Sequence, residues 1–405
     1  MPGGLLEVEA YLARVLGLAD GFDPPVESVS LAAATGRVLA ADLTAGVSVP
    51  PFDNSAMDGF AVRAADLASV PVVLVVVGES AAAAGPIPSV VPGTAVRVMT
   101  GGRVPPGADT VVPVELTDQP AGAAPLPAQV EVRRQVPDGG NVRRAADDLA
   151  AGDPVLPAGA LITPAAVGSA ASVGWGALPV FGVPRVAVVS TGAELVEPGA
   201  SLAEGQLHDS NSAMVAALAA AAGAEVRFAG RSGDDPDELA ALLAALPPVD
   251  LILTSGGVSA GAYEPLRLLG AGLEFVSVAM QPGKPQGYGR IGGVPLLAFP
   301  GNPVSSFVSF RVFGRPLIDA LAGLCRRDRT RVGRAAEGWA SPPGRRQYLP
   351  VRLDETADGT LVRASHRRGS GSHLVASLAL ADALAVVPAE QTVVEAGATL
   401  TLVEV

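Results

Sequence analysis

Cysteine and histidine are scarce in this 405-residue chain. It contains one cysteine, Cys325, and three histidines, His208, His366 and His373. A single cysteine excludes an internal disulfide and any zinc site built on several thiolates. The three histidines are too widely separated to form a metal-binding motif. The sequence therefore gives no sign of a metal centre held by nitrogen and sulfur ligands.

Aromatic residues and positive charge are also scarce. Aromatic side chains make up 4% of the chain, so the core has to be built mainly from Val, Leu, Ala and Ile. The chain has 28 Lys and Arg against 40 Asp and Glu, a formal net charge of −12. That balance argues against nucleic-acid binding by phosphate neutralisation. An anionic substrate would need a local positive or N–H-rich pocket within this repulsive field.

Neither a membrane span nor a secretion signal is predicted. The stretch 154–184 has no charged residue, but five prolines and five glycines interrupt it. A lipid-exposed helix there would leave backbone groups unpaired, so we interpret the stretch as buried core. The N-terminus carries Glu7 and Glu9 where a signal peptide has basic residues. We therefore expect a cytoplasmic protein without a membrane partner.

The first half of the chain predicts short helices followed by a β-rich module. Residues 5–18 have apolar side chains at helical spacing, and residues 30–43 are predicted as a second short helix. Short β-type runs then alternate with Gly and Pro turns, which predicts a module over residues 46–145. Residues 1–45 and 146–182 are assigned to a discontinuous N-terminal helical and linker domain.

The second half predicts an α/β domain and a terminal β domain. In residues 183–325, apolar strands alternate with helices, which is typical of a mainly parallel, doubly wound sheet. Residues 326–405 return to short strands after a basic linker, RRDRTRVGR, and predict a small β-barrel-like domain. The predicted fold class is multidomain α/β plus β, with the β-rich module as an insert.

Three polar, glycine-rich loops follow predicted strands of the α/β domain. They are STGAEL (190–195), TSGGVSAGAYE (254–264) and FPGNPVSS (299–306). Ligands of open parallel sheets sit beyond the carboxyl ends of the strands, so these loops can line one crevice. Glycine permits close backbone approach, and amides and hydroxyls supply hydrogen-bond donors for an anion. The candidate oxyanion-binding residues are Ser190, Thr191, Gly192, Ser255, Gly256, Gly257, Ser259, Pro300, Gly301, Asn302, Pro303 and Ser305.

A fourth segment, MQPGKPQGYG (280–289), adds Lys284 between two prolines, the one fixed cation among these loops. Ordinary turns between strand and helix are the alternative interpretation of any single loop. Three loops in corresponding positions, together with a lysine, favour an anion site. No Walker sequence and no GxGxxG fingerprint opens a helix in this chain.

Several acidic residues stand in polar, glycine-flanked contexts rather than in charge runs. Mg²⁺ reconciles such carboxylates with a bound anion, because it prefers carboxylate and phosphate oxygens. Helix capping is the alternative for Asp209 and for Asp234 and Asp235, which precede Pro236, and an Asx-turn is the alternative for Asp53. Glu194 and Asp58 are the least easily explained as structural residues. The candidate Mg²⁺ ligands are Glu194, Asp209 and Glu264.

Three other polar stretches leave their roles open. PFDNSAMDGFAVR (51–63) concentrates more hydrogen-bonding side chains than a turn requires. NVRRAADDLAAGD (141–153) places two arginines beside two aspartates, either as a surface ion-pair cluster or as an arginine contact to phosphate. SHRRGSGSHL (365–374) is either a basic turn or the rim of a substrate pocket.

Seven segments, in chain order, resemble the molybdopterin molybdenumtransferases, the family of MoeA and the gephyrin E domain. They are PFDNSAMDGFAVR, RVMTGG, NVRRAADD, STGAEL, TSGGVSAG, MQPGKP and FPGNPVS, and they span nearly the whole chain. The resemblance implies a MoaB- and Mog-like central domain. It implies an enzyme that takes adenylylated molybdopterin and molybdate, cleaves the phosphoanhydride with Mg²⁺, and releases AMP and molybdenum cofactor. The pterin dithiolene supplies the sulfur ligands, which accounts for the shortage of Cys and His.

The resemblance also assigns roles to individual residues. It matches Lys284 and Ser305 to oxyanion contacts, and Pro300 and Pro303 to the prolines of the family's PGNP loop. It implies an elongated four-domain homodimer in which the crevice of one subunit faces the β-rich module of the other, so residues 51–63 complete an inter-subunit site. The adenylyltransferase and molybdoenzymes are implied as further partners. The residues matched to positions tied to activity are Asp58, Thr100, Asp148, Glu194 and Asp234.

The chain departs from the family pattern after GGVS. The family often has Gly-Glu-x-Asp there, whereas this chain has Ala262 and Glu264 at the acidic positions. Two other functions stay open. Molybdopterin adenylylation uses the same α/β fold, and a non-catalytic scaffold is conceivable because gephyrin also clusters receptors. The flanking modules with the Asp58 motif favour molybdenum insertion, and the sequence has no evident receptor-peptide groove or long linker.

Overall fold

The computed structural model describes residues 4–83, 85–258, 265–269, 272–324, 330–366 and 373–405. Within these residues the strands form three larger sheets and five two-stranded ribbons. None of the described helices combines the length and the hydropathy needed to cross a bilayer. The candidates Ser259 and Glu264 lie outside the described residues, as do Ala262, Cys325 and positions 367–372 of the basic C-terminal segment.

The first predicted helix, over residues 5–18, is confirmed as Val8–Leu16. It buries Tyr11, whose hydroxyl donates a hydrogen bond to the carbonyl oxygen of Gly287 at 3.2 Å. The same ring stands edge-on to Phe313, with ring centroids 4.7 Å apart. The N-terminal helix therefore packs on the core of the central α/β domain.

The second predicted helix, over residues 30–43, is wrong in length, because only Leu31–Ala34 is helical. Gly36 adopts φ +82°, a left-handed conformation that ends a helix. Beyond it, Leu39 is fully buried and forms a β-bridge with Val180. The apolar residues of this segment thus face a core through an irregular backbone.

The prediction that the uncharged stretch 154–184 is buried core is wrong for much of its length, because only scattered positions such as Ile162 and Ala170 are buried and many others are exposed. Its helix begins at Pro164, and the preceding Thr163 hydroxyl accepts a hydrogen bond from the Ala166 N–H at 3.2 Å. Leu178 is fully buried. The elements of this region are the strands Val26–Ser30, Leu43–Thr44, Pro154–Leu156 and Ala177–Phe181 and the helix Pro164–Ser172.

The β-rich module contains a five-stranded sheet. Phe60, Leu74 and Val112 pack on one face and form its main core. A short ribbon pairs Asn54–Ser55 with Val142–Arg143, which joins the two polar stretches of the sequence. In spatial order the sheet strands are Thr110–Pro113, Gly59–Val62, Thr94–Val98, Val72–Ser80 and Gln129–Val132.

The central domain is built on a six-stranded mixed sheet. Its four parallel strands match the prediction, but the segment 280–289, interpreted as a loop, contains the strand Pro285–Ile291. This strand pairs antiparallel with both neighbours, which ends the parallel order. In spatial order the strands are Glu225–Ser232, Arg185–Thr191, Leu251–Ser255, Val294–Phe299, Pro285–Ile291 and Leu273–Ser277.

Helices pack on both faces of this sheet. Val188 and Leu253 belong to one core cluster, whereas Val189 and Ile252 belong to another, as alternating residues of buried strands must. The predicted long helix after the PGNP loop is confirmed, with one π-helical turn at Phe310–Gly314. The α-helices are Ser210–Ala221, Pro236–Ala244, Pro265–Leu268, Pro303–Ser309 and Arg315–Leu321.

The C-terminal strands close into a five-stranded barrel, because the strand Arg346–Thr356 pairs with Ala383–Val387 to complete the circle. The predicted basic linker is wrong at its end, since Arg331 already begins a barrel strand. The predicted fold class, a mainly parallel α/β domain with a β-rich insert and a C-terminal barrel, is confirmed. The other barrel strands are Arg331–Ala335, Gly359–Ala364 and Thr399–Glu404.

Candidate functional site

Three strand ends meet at one cleft. The parallel strands Arg185–Thr191, Leu251–Ser255 and Val294–Phe299 are neighbours, so their carboxyl ends lie at one edge of the sheet. A cavity of about 370 Å³ opens there, which we call the strand-end cleft. It gathers the three loops that the sequence singled out. Its lining residues are Thr191, Gly192, Glu194, Asp234, Gly256, Gly257, Val258, Pro265, Pro285, Pro300, Gly301 and Asn302.

Gly256 brings two of these loops into contact. It adopts φ +88°, and a Cβ at this position would lie 2.6 Å from both the carbonyl oxygen and Oγ1 of Thr191. A Cβ on Gly301 would approach the Cα of Gly256 at 3.5 Å, which is ordinary contact. Only glycine at position 256 combines this backbone conformation with this close approach.

We expect Gly256→Ala to lower the free energy of unfolding by about 1–3 kcal/mol, because it adds left-handed strain and a steric clash. Thermal or denaturant unfolding measures this loss. Gly292→Ala is the matched control: it shares a positive φ, +58°, but its Cβ would meet no atom within 4 Å. Equal losses of stability in the two variants would show that the close approach to Thr191 does not require glycine at position 256.

The backbone amides of the cleft differ in whether they are hydrogen-bonded within the described fold. The Gly192 N–H donates to the Ser232 carbonyl at 3.1 Å, and the Gly256 N–H donates to the Phe299 carbonyl at 3.0 Å. By contrast, the amides of Gly257, Val258 and Gly301 donate no backbone hydrogen bond within the described part of the chain. Amides without a partner in the described fold are the type of donor that anion sites use.

Lys284 supplies the cation beside the cleft. It directly precedes the lining residue Pro285 and is exposed. No described carboxylate forms an ion pair with it. It is also the only lysine of the chain, against twenty-seven arginines. Its ammonium group is therefore available for an anionic ligand.

Not all predicted oxyanion contacts reach the cleft. The hydroxyls of Ser190 and Ser255 are buried and lie 3.0 Å from each other, so they hydrogen-bond across the two strand ends. Ser305 is 4% exposed within the helix that begins at Pro303. The predicted oxyanion contacts that do not line the cavity are Ser190, Ser255, Lys284, Pro303 and Ser305. Apart from Lys284, these residues belong to the strand ends and to the helix that follows the PGNP loop, and they support the cleft from outside its lining.

Among the described residues, Glu194 and Asp234 are the two carboxylates that line the cleft. Glu194 folds over its own loop, since a Cβ on Gly192 would lie 2.7 Å from its Oε2. The cap of the helix Pro236–Ala244 is Asp235, which accepts a hydrogen bond from the Asp237 N–H at 2.9 Å. Asp234 is therefore not used as the cap and can face a ligand.

Asp209 has a structural position. It is 2% exposed and caps the helix Ser210–Ala221, accepting hydrogen bonds from the N–H groups of Asn211 and Ser212 at 3.1 and 3.0 Å. No group of three His, Cys, Asp or Glu side chains suited to a metal occurs among the described residues. Two cleft carboxylates fit Mg²⁺ nevertheless, because this ion commonly takes one or two carboxylates and completes its shell with water and substrate phosphate.

Asp58 and Thr100 form a second constellation in the β-rich module. Asp58 Oδ1 accepts hydrogen bonds from the Thr100 N–H at 2.6 Å and from its hydroxyl at 2.8 Å. The backbone bond and then the hydroxyl bond lower the pKa of Asp58. Asp58 lines a separate cavity of about 310 Å³, which shares no lining residue with the strand-end cleft. We call it the Asp58 pocket.

The polar stretch 141–153 forms an ion pair with the stretch 51–63. Arg144 Nη1 lies 2.7 Å from Asp53 Oδ2, and the Ala145 N–H donates to Asp53 Oδ1 at 2.8 Å. The Ala145 N–H and the guanidinium lower the pKa of Asp53. Asp53 thus ties residues 51–63 to residues 141–153, while Asp148 is exposed and lines neither cavity.

Removal of the Thr100 hydroxyl should shift a pH profile. We expect Thr100→Val to raise the pKa of Asp58, because its carboxylate loses one of two stabilising hydrogen bonds. If turnover requires ionised Asp58, the acid limb of kcat/KM then moves to higher pH. Thr401→Val, which changes an exposed barrel threonine, is the matched control and should leave the limb in place. An unmoved limb in Thr100→Val would exclude Asp58 as the titrating group.

Comparison with known families gives a consistent assignment. The MoeA N-terminal region (domain I and II) matches residues 6–174, a probable molybdopterin binding domain matches 187–320, and the MoeA C-terminal region (domain IV) matches 332–405. The molybdopterin molybdenumtransferase 2 of Mycobacterium tuberculosis is 43% identical over 390 residues, which cover 92% of this chain and 93% of the relative. The chain belongs to the MoeA family of molybdopterin molybdenumtransferases.

Further relatives extend this MoeA-family assignment. The molybdopterin molybdenumtransferase of Bacillus subtilis is 36% identical over 301 residues, covering 72% of this chain and 70% of the relative. A solved structure of the molybdopterin biosynthesis MoeA protein of Pyrococcus horikoshii shares 28% identity and a TM-score of 0.78, covering 99% of each chain. The matched molybdopterin binding domain agrees with the predicted central α/β domain, whereas the predicted domain boundaries stay predictions.

In this MoeA-family chain, sequence reasoning missed Asn211 as a residue that supports the site. Its Nδ2 donates a hydrogen bond to the Gly301 carbonyl at 2.7 Å, and the side chain is 7% exposed. It therefore fixes the PGNP loop to the start of a helix. The only sequence signal was its place in the first turn of the helix that follows the capping residue Asp209, where a buried amide is unusual.

Proposed function

We propose that this enzyme inserts molybdenum from molybdate into adenylylated molybdopterin, with Mg²⁺-dependent cleavage of the phosphoanhydride that releases AMP and molybdenum cofactor. The observation that carries the proposal is the strand-end cleft, which is lined by two carboxylates and glycine-rich loops and whose lining residue Pro285 directly follows Lys284, the only lysine of the chain. The relatives named molybdopterin molybdenumtransferase support the same chemistry.

The cleft suits oxyanions in a chain that otherwise repels them. The net charge of −12 disfavours a bound phosphate or molybdate over most of the surface. The amides of Gly257, Val258 and Gly301 and the ammonium of Lys284 provide a local exception. These donors would hold the phosphoanhydride and orient molybdate beside it. Fixed donors of this kind stabilise charge that develops during phosphoryl cleavage.

Glu194 and Asp234 would hold Mg²⁺ together with oxygens of the substrate. When bound, the ion supplies positive charge that neutralises the phosphate oxygens and reduces their repulsion by the two carboxylates. The protein itself needs no sulfur ligand for molybdenum, because the pterin dithiolene provides two. The single cysteine of the chain agrees with this lack of a need for protein sulfur ligands.

Asp58 would act as a fixed anion rather than as a strong base. The hydrogen bonds from Thr100 lower its pKa, and a more acidic carboxyl group is a weaker proton acceptor. Its pocket and the strand-end cleft share no lining residue within one chain. We therefore propose a homodimer in which the Asp58 pocket of one subunit faces the cleft of the other.

We further expect this dimer to act in the cytoplasm. The adenylyltransferase that makes its substrate and the molybdoenzymes that accept its product are the partners that this reaction implies. Both the substrate and the product are reactive, so direct transfer between proteins would limit their loss to water.

A turnover assay tests the proposed function. The full chain is incubated with adenylylated molybdopterin, sodium molybdate and MgCl₂, and AMP is quantified by chromatography. We expect AMP release that requires both added ions, and a loss of release in Glu194→Gln. Pyrophosphate release from ATP and molybdopterin would instead identify an adenylyltransferase. Absence of both products would leave the scaffold interpretation.

A further inference from the structure

The Asp58 pocket has the lining of a ligand site, and its part in substrate binding goes beyond the role of Asp58 as a fixed anion. Phe60, Val98 and Met99 are among its lining residues, and its cover is the loop 119–127. Its volume of about 310 Å³ lies within the range of small-molecule sites, which are mostly apolar with a few polar groups. The pocket can therefore enclose a flat ring.

One arginine holds the cover of this pocket in place. Arg97 Nη1 donates hydrogen bonds to the carbonyl oxygens of Ala124 and Pro125 at 2.7 and 3.2 Å. Its Nη2 is fixed by Glu79 Oε2 at 2.6 Å. The Arg97 Nε is buried and has no hydrogen-bond partner in the described residues.

Asp58 leaves one oxygen for a ligand. Both hydrogen bonds from Thr100 end on Oδ1, and no described residue donates to Oδ2. A ring that enters the pocket therefore meets apolar residues such as Phe60 and Met99 and an ionised acceptor at its edge. The complementary ligand is planar and presents N–H donors along one edge.

We propose that the Asp58 pocket binds the pterin ring of the substrate, with the 2-amino and N3–H edge directed at Asp58. The choice of ring rests on the proposed function, whose substrate carries two candidate rings. The pterin edge presents two adjacent donors to a carboxylate. The corresponding edge of adenine places the N1 acceptor beside its amino group, and that lone pair would face a negative charge. The strand-end cleft then holds the phosphates, and the two sites divide the substrate between them.

Two tryptophan substitutions on the cover loop test the assignment. Ala123 is exposed and lines the pocket, whereas Ala121 is exposed on the same loop and does not. Free pterin, followed by its own fluorescence, is titrated into wild-type protein and into both variants. We expect Ala123→Trp to weaken pterin binding about tenfold or more by filling the cavity, and Ala121→Trp to leave it unchanged. We expect AMP not to displace the pterin.

Turnover provides an independent readout. Ala123→Trp should raise the KM for adenylylated molybdopterin with a smaller effect on kcat, since ring binding is weakened while the phosphate site is intact. AMP release with an unchanged KM and unchanged pterin binding in Ala123→Trp would overturn the pocket assignment and leave the proposed function standing. Displacement of pterin by AMP would also overturn it. Pocket-dependent pterin binding without AMP release would refute the proposed reaction alone.

Discussion

Replacement of Lys284 with alanine is expected to lower kcat/KM for AMP release by about 10²–10³-fold, the usual cost of removing a preorganised oxyanion donor. Lys284 is the only lysine of the chain, it is exposed beside the strand-end cleft, and no described carboxylate pairs with it. Nothing in the fold depends on its ammonium group, so the loss should appear in turnover and not in stability. Steady-state kinetics with varied adenylylated molybdopterin, together with thermal unfolding, separates the two effects.

Two matched variants show whether a loss of activity in Lys284→Ala comes from the missing charge at this position. Lys284→Arg retains the charge and should recover part of the activity, because a guanidinium also binds oxyanions but with a different shape. Arg352→Ala removes an exposed cation from the C-terminal barrel and should leave turnover unchanged. If Lys284→Ala turned over like wild type, the lysine would have no role at the cleft.

Mixing two inactive variants is expected to restore activity. Asp58→Ala and Glu194→Ala should each lose AMP release, because the proposed reaction needs both acids. The two acids line separate cavities of one chain, so a dimer can combine an intact cavity from each subunit. In a symmetric dimer with shared sites, each heterodimer has one intact site out of two. After random exchange half of the dimers are heterodimers, so about one quarter of wild-type activity should return.

The exchange itself has to be verified for this experiment. Differently tagged subunits can be mixed, and the heterodimers isolated by sequential affinity steps. A mixture of either variant with the Asp58→Ala, Glu194→Ala double variant is the control and should regain nothing. If isolated heterodimers stayed inactive, both acids would have to act within the same subunit.

The parts of the site that sequence reasoning located depend on buried parallel strands. Strands such as Arg185–Thr191 and Leu251–Ser255 are buried on both faces, so they appear in the sequence as uninterrupted apolar runs. The residues that follow such runs necessarily lie at one edge of the sheet. The convergence of the three loops could therefore be predicted without knowledge of any side-chain contact.

The strand Pro285–Ile291 could not be predicted, because its glycines are typical of a loop and are required here by contacts with distant residues. A Cβ on Gly289 would lie 1.9 Å from the Gly272 carbonyl oxygen, and one on Gly287 would lie 2.9 Å from the Phe275 ring. The neighbouring strand thus requires glycine at positions where local propensity disfavours a strand. A sequence pattern records the glycines but not the contact that requires them.

Side-chain pairing was equally hidden from the sequence. Ser190 and Ser255 satisfy each other only because two distant strands meet in one particular register. The choice between Asp234 and Asp235 as the helix cap also depended on the final backbone path. Sequence reasoning therefore located the right loops but could not decide which polar groups in them face a ligand.

The central claim is that the strand-end cleft binds anions beside Lys284, and one spectroscopic measurement tests it directly. Reductive methylation with ¹³C-formaldehyde labels amines while keeping their charge, and Lys284 is the only lysine of the chain. Its NMR signal is assigned by its absence in Lys284→Arg. We predict a saturable shift of this signal when AMP or molybdate is added in the presence of MgCl₂. A signal that does not move at concentrations that saturate turnover would contradict the account.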